Sequence, residues 1–304
     1  MNLSIPKPQN TKLGIIYSLA AGLTWAMTAP GLRYMLSQYQ IPSLTLALWR
    51  DIFVALAAFA AIILIRPALL RVTGKELRGM AFTGIISIGI YHAIWTESIR
   101  LNGASVALVL IYLYVIIVAI GAWVLWREPL TPMHMVAAVL AIVGSALVVR
   151  IYDPEALRFS WLGILIGLSS AFAQSVFVLY NQHITNSVNS WAALAYTFLF
   201  GSITLLALCL FTQPLNTIVP DQPSALLSIA FLGIGPTLCG YGLFTMALKY
   251  IPGKLAGLIA IIEIVLAAFI SWLFLGEMLE SLQIFGIGLV IIAIVLPNLR
   301  GRRG

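Results

Sequence analysis

A bilayer core of about 30 Å is crossed by about 20 helical residues, and ten apolar windows of about that length follow one another along this chain. They cover approximately residues 13–30, 44–65, 77–99, 104–126, 133–150, 160–180, 190–211, 224–247, 254–275 and 281–298. Connections such as Leu101–Gly103 and Arg127–Pro132 are too short to hold a domain, so successive helices are expected to be antiparallel neighbours. Composition agrees. Of 304 residues 61% are hydrophobic and 9% charged, against roughly 25% charged in soluble domains, which leaves too little polar surface to coat a sphere in water. The predicted class is an all-α integral membrane protein. Lys7 and Lys12 precede the first apolar run as in a secretory signal, but nine further spans follow, so that run reads as a retained first helix.

Cytoplasmic connections carry the excess of Lys and Arg. With the N-terminus inside, the inner side holds Lys7, Lys12, Arg66, Arg71, Lys75, Arg78, Arg127, Lys249, Lys254, Arg300, Arg302 and Arg303, and the outer side holds only Arg33, Arg50, Arg100, Arg150 and Arg158. Both termini are therefore expected in the cytoplasm and the protein in the cell membrane, plasma or inner. The formal charge of +7 is scattered through these connections rather than gathered into one face, which argues against nucleic acid as a partner. Cys209 and Cys239 lie in apolar stretches without metal-type spacing, as do His92, His134 and His183.

One displacement of 149 residues superposes the two halves without a gap: Gly14 falls on Gly163, Gly84 on Gly233, Ala107 on Ala256, Ala119 on Ala268, Trp123 on Trp272, Glu128 on Glu277, Leu130 on Leu279 and Leu140 on Leu289. Residues 1–150 and 151–304 are thus expected to be two five-helix repeats. Five is odd, so the second repeat enters the membrane the other way up. Inverted repeats of this kind carry their substrate near the midplane, at the repeat interface, and work by alternating access.

The segment SIRLNGASVALVLIYLYVIIVAIGAWVLWREPLTPMHMVAAVLAIVGSALVV, Ser98–Val149, resembles the second part of an EamA-type repeat of the drug/metabolite transporter superfamily. MALKYIPGKLAGLIAIIEIVLAAFISWLFLGEMLESLQIFGIGLVIIAIVL, Met246–Leu296, resembles it again, and GLTWA, Gly22–Ala26, with the Arg50 that follows a short connection, is similar to the family as well. The resemblance implies a ten-helix exporter of amino acids, other metabolites or toxic compounds, working by exchange or down a gradient.

An ionisable group at membrane depth faces a cavity or a partner. Glu263 lies about ten residues into the ninth span, with Lys254 at the cytoplasmic end of that helix. It is the proton-coupling candidate, or an anionic partner for an amine, or a hydrogen-bonded tie between helices. Since 114 plus 149 is 263, Tyr114 is its repeat counterpart. Tyr91 and Trp95 share a helix face at i and i+4, with His92 turned away from them; a ring-lined wall suits an aromatic or amphipathic substrate, although Trp95 also fits an interfacial belt. Glu97 can pair with Arg100 at i+3. Trp25 and its counterpart Gln174 complete the cavity candidates with Tyr241, on a helix that Pro236 kinks as a gate or as a static bend. Arg50 reads as a structural residue that can snorkel to headgroups, with substrate binding as its alternative.

No phosphate-binding GxxxxGK[ST] loop occurs, so no ATP-driven motor is built in, and neither cofactor nor metal is expected. No nucleophile and base converge at one depth as an enzyme requires. The reading is a secondary transporter, an exporter of small organic metabolites such as amino acids, in contact with the lipid bilayer. Its alternatives are efflux of cationic or amphipathic toxic compounds and, in another class, a membrane enzyme or lipid-handling protein. The GxxxG patterns Gly163–Gly167 and Gly253–Gly257 fit a homodimer face or packing within one protomer.

Overall fold

The computed structural model describes residues 10–153, 160–184, 187–275 and 278–300. Lys7, Arg158, Arg302 and Arg303, which entered the charge count, and Glu277, one end of a repeat match, lie outside them. Among the described residues the structure is helical with no strand. In chain order the α-helices are α1 (Thr11–Trp25), α2 (Thr28–Gln38), α3 (Ser43–Ile65), α4 (Gly74–Gly84), α5 (Tyr91–Tyr112), α6 (Tyr114–Trp126) and α7 (Pro132–Val148). They continue with α8 (Trp161–Ile184), α9 (Ser190–Thr212), α10 (Pro223–Leu232), α11 (Cys239–Ala247), α12 (Gly253–Ala260), α13 (Ile262–Leu275) and α14 (Ser281–Arg300).

Among the described residues seven helical stretches are long and apolar enough to cross a membrane, and Pro132–Val148 and Ser281–Pro297 are shorter apolar helices. Their outer faces present Leu64, Ile65, Trp161 and Phe211, each at least 80% exposed, a surface suited to lipid. The stretch Gly74–Trp126 runs for 53 residues; as one straight helix it would be about 80 Å long, far more than a bilayer. Gly103 interrupts it at φ 79°, ψ 162°, a conformation that side chains with a Cβ rarely adopt. Nothing lies within 4 Å of a Cβ placed there, so backbone geometry alone demands the glycine.

Two helices widen into π-turns, Ile85–Ile90 between α4 and α5 and Gly233–Leu238 between α10 and α11. In the second, Pro236 lacks the N–H that would bond the Leu232 carbonyl in an α-helix, and the Thr237 hydroxyl donates to that carbonyl instead at 2.9 Å. The kink expected at Pro236 is thus a satisfied π-turn. The regular hydrogen-bond ladder also breaks between α5 and α6 at Leu113, whose N–H donates to the Leu110 carbonyl, and between α12 and α13 at Ile261, whose carbonyl accepts from the Ile264 N–H, although both residues keep right-handed helical torsions.

α1 packs on α11 and α12, α3 on α9, α5 on α8, α6 on α8 and α12, and α7 on α14. The α7–α14 crossing is close: a Cβ on Gly144 would stand 2.7 Å from the Gly286 carbonyl oxygen, and one on Gly286 equally close to that of Gly144. Backbone cannot swing aside as a side chain does. Gly144→Ala is therefore expected to destabilise the protein by about 1–3 kcal/mol, read as an earlier thermal transition of tryptophan fluorescence in detergent. All four glycines of the GxxxG patterns face residues of their own chain: Gly163 faces Asn102, Gly167 Leu110, Gly253 Val178 and Gly257 Tyr114. They form internal crossings, so the dimer-face reading of those patterns has no surface to use.

Candidate functional site

The breaks and π-turns converge on a cavity of about 60 Å³ in the middle of the helical body. α1 ends with Trp25 at its wall, α3 supplies Arg50, and the start of α5, just past its π-turn, brings Tyr91, His92 and Trp95. Tyr114 opens α6, Gln174 comes from α8, Tyr241 from α11 and Glu263 from the first turn of α13. Trp25, Tyr91, His92, Trp95, Tyr114, Gln174, Tyr241 and Glu263, the eight residues singled out from sequence, all line this one cavity. Eight of the fifteen lining residues form four pairs 149 apart: Trp25 and Gln174, His92 and Tyr241, Ile111 and Ala260, Tyr114 and Glu263.

Tyr241 sits at the centre of a ring cluster, edge-on to Phe177 at 5.0 Å and to Trp25 at 5.3 Å. Its hydroxyl meets His92 Nε2 at 3.2 Å, while His92 Nδ1 meets Asp51 Oδ2 at 2.6 Å. With Asp51 as the acceptor, Nδ1 carries the proton, and a neutral ring leaves Nε2 to accept from Tyr241. Arg50 Nε donates to the other oxygen of Asp51 at 3.2 Å. Across the cavity the Tyr112 hydroxyl donates to Glu263 Oε1 at 2.6 Å, and the Tyr114 hydroxyl to the Gly257 carbonyl at 3.2 Å.

Two sequence readings are corrected. Arg50 does not reach headgroups: it is 1% exposed, ion-paired with Asp51, and faces the cavity. Trp95 is not an interfacial belt residue, being 6% exposed and stacked near Tyr91 with ring centroids 6.0 Å apart. Lys254, at the start of α12, pairs with Glu128 at 3.0 Å. Glu97 does pair with Arg100, and it also accepts from Ser43 at 2.5 Å. Tyr112, Thr28 and Thr237 line the cavity without having been singled out.

A larger space of about 710 Å³ adjoins the cavity and opens at the end of the body marked by Ser37, Ser105, Arg150 and Gln283. Trp25, Leu108, Tyr112 and Glu263 line both. At the other end a buried cluster joins α6, α8 and α12: beside the Glu128–Lys254 pair, Gln182 Nε2 donates to Glu128 Oε1 at 2.9 Å and Gln182 Oε1 accepts from the Gly253 N–H at 2.8 Å. Among the described residues no group of His, Cys, Asp or Glu is placed to hold a metal ion.

The family model for the EamA-like transporter family matches twice, over residues 12–150 and 161–299. The chain is 25% identical over 285 residues to the uncharacterized transporter YdfC of Bacillus subtilis, covering 92% of this chain and 89% of that one. It is 20% identical to the uncharacterized inner membrane transporter YicL of Salmonella typhimurium, over 97% of this chain and 98% of the relative. The crystal structure of a further protein, 18% identical, superposes with a TM-score of 0.77 over 95% of this chain and 99% of that chain, a likeness of fold. These matches point to a transporter rather than an enzyme, one that meets a lipid bilayer and a small-molecule substrate. With its long apolar helices and the same family signature in each half, this multi-pass protein of the cell membrane belongs to the EamA-like transporter family of the drug/metabolite transporter superfamily.

Proposed function

We propose that the chain is a secondary active transporter that exports small organic metabolites such as amino acids by alternating access around the central cavity. One observation carries the proposal: the wide space open at one end of the body stops at Glu263 and Tyr112, while the other end holds the buried Glu128–Lys254–Gln182 cluster, which we read as its seal. A site reached from one side and sealed on the other is what alternating access requires of a resting state. The distribution of Lys and Arg supports an outward-facing open end.

Ten spans follow if Gly74–Trp126 crosses twice, reversing at Gly103, and if Pro132–Val148 and Ser281–Pro297 cross as well. Two inverted halves, 1–150 and 151–304, with both termini in the cytoplasm, then account for the four cavity pairs 149 residues apart. Counterpart residues of two halves can meet only close to the axis that relates them. The same displacement carries Leu113 onto Ile262, next to the break at Ile261, and Gly84, which precedes one π-turn, onto Gly233, which begins the other. Interrupted helices at counterpart positions are a recurrent feature of transporter binding sites.

A cavity of 60 Å³ is small beside the roughly 300–1,000 Å³ of ligand pockets, so cargo binding must widen it. The closed ring cluster about Tyr241 and the π-turn before it are the parts that would move.

Counterflow in proteoliposomes tests the proposal. Vesicles loaded with an unlabelled amino acid, amine or nucleoside are offered the labelled compound outside. Transient uptake above equilibrium for one chemical class, absent from empty liposomes, is expected. Selective counterflow of amines and lipophilic cations would put toxic-compound efflux in place of metabolite export, and no movement of any compound would overturn transport as the function.

A further inference from the structure

Four residues facing the central cavity each bury a polar atom that has no hydrogen-bond partner: Arg50 Nη2, Trp95 Nε1, Thr28 Oγ1 and Gln174 Oε1. Their side chains are 1%, 6%, 8% and 4% exposed. An unsatisfied buried polar group is costly, a charged one most of all, and four of them around one space are open to hydrogen bonds with whatever enters it. Three of the four can donate a hydrogen bond, and one of these carries a full positive charge.

The wiring around Arg50 explains why that charge is available. Asp51 is fully engaged, one oxygen accepting from Arg50 Nε and the other meeting His92 Nδ1. The pairing is made through Nε, along the side of the guanidinium, which leaves Nη2 unused at the cavity. A guanidinium nitrogen, an indole N–H and a hydroxyl lining one cavity are donors of the kind that the two oxygens of a carboxylate accept from. A phosphate dianion is a worse fit, because among the described residues Arg50 is the one Lys or Arg side chain lining this cavity and Glu263 stands on the same space, so the second negative charge of the dianion has no partner there.

We infer that the cargo presents a carboxylate to this cavity and that Arg50 is the residue that selects it. The inference rests on the reading of the central cavity as the substrate site. It narrows that reading to carboxylate-bearing compounds and removes simple amines and lipophilic cations from the cargo. Amino acids and plain carboxylic acids share the recognised group.

The test is counterflow in proteoliposomes with matched compounds: an amino acid, the same skeleton as an amine-free carboxylic acid, and the amino acid amide, which keeps the shape and loses the anion. The native protein is expected to move at least one of the two acids with a half-saturating concentration at least about tenfold below that of the amide, as one charge-assisted hydrogen bond implies. Movement of the amine-free acid would identify the carboxylate as sufficient; movement of the amino acid alone would add a requirement for the amine. Arg50→Gln with Asp51→Asn removes both charges of the buried pair together and so limits damage to folding; in that variant the preference for acid over amide should shrink to about twofold or less. Amides or amines moving as well as acids in the native protein would overturn the role of Arg50 and leave the transporter reading standing, as would a preference that survives the double substitution. No movement of any compound, with amines and nucleosides included, would overturn both.

Discussion

Lys254→Met is expected to destabilise the protein by about 3–5 kcal/mol, the usual result of removing one partner from a buried ion pair. Lys254 and Glu128 are 8% and 7% exposed and 3.0 Å apart. Lys254 also donates to the Pro129 carbonyl at 3.2 Å, so its ammonium fastens the start of α12 to the turn that follows α6. Without it, Glu128 keeps the hydrogen bond from Gln182 but loses the ammonium that neutralises it.

The matching control is Lys254→Met with Glu128→Met, which replaces the pair by apolar side chains and should restore most of the loss, since such replacements are often neutral. Thermal unfolding in detergent compares the native protein, the single and the double variant. A loss of about 0–1 kcal/mol in the single variant, the range of solvent-exposed pairs, would mean that water reaches the cluster and that this end of the body is not sealed. A double variant that regains stability and still exchanges cargo would separate the role of the pair in closing that end from any role in folding.

Much of the architecture was legible in the sequence because lipid imposes simple rules. Backbone polar groups must be satisfied within the segment, so long apolar windows mean helices, and an ionisable residue inside one marks a cavity. That rule found Glu263, and the displacement of 149 residues led from it to Tyr114 and from Trp25 to Gln174. The rule fails where a helix departs from regularity. Tyr112 and Tyr114 are two residues apart and would point about 200° apart on a regular helix; the break at Leu113 turns both rings onto the cavity, and nothing in the apolar run LIYLYVII announces it. Arg50 was misread for another reason. Neighbours on a helix do not face each other, yet a long arginine side chain can fold back onto an adjacent carboxylate, and once paired it has no need of headgroups. Glu128 and Lys254 are 126 residues apart, and each taken alone looks like an ordinary end-of-span charge. Their pairing follows only from the packing of α6 on α12.

Glu263→Gln is expected to abolish proton-driven accumulation of cargo while leaving exchange intact. The substitution keeps the shape of the side chain and a carbonyl oxygen for the Tyr112 hydroxyl, now 2.6 Å from Glu263 Oε1, so the tie between α5 and α13 survives. What it removes is the capacity to take up and release a proton. If the carboxyl at the junction of the two spaces holds a proton while the site is empty and gives it up when cargo occupies the cavity beside it, protons moving down their gradient draw cargo the other way. Cargo then gathers in the more acidic compartment, which for an exporter is the outside. One proton per cargo molecule across one pH unit, worth 1.36 kcal/mol, sustains an accumulation of about tenfold. Proteoliposomes with an imposed pH difference should reach such a ratio with the native protein and a ratio of about one with the variant, whereas counterflow without a gradient should persist in both. Equal accumulation in the two proteins would make Glu263 a structural tie and refer coupling to another group. Loss of counterflow together with accumulation would mean instead that the carboxylate holds the cargo itself, and the amide amino acids of the counterflow panel would then be the compounds least affected by Arg50 and most affected by Glu263.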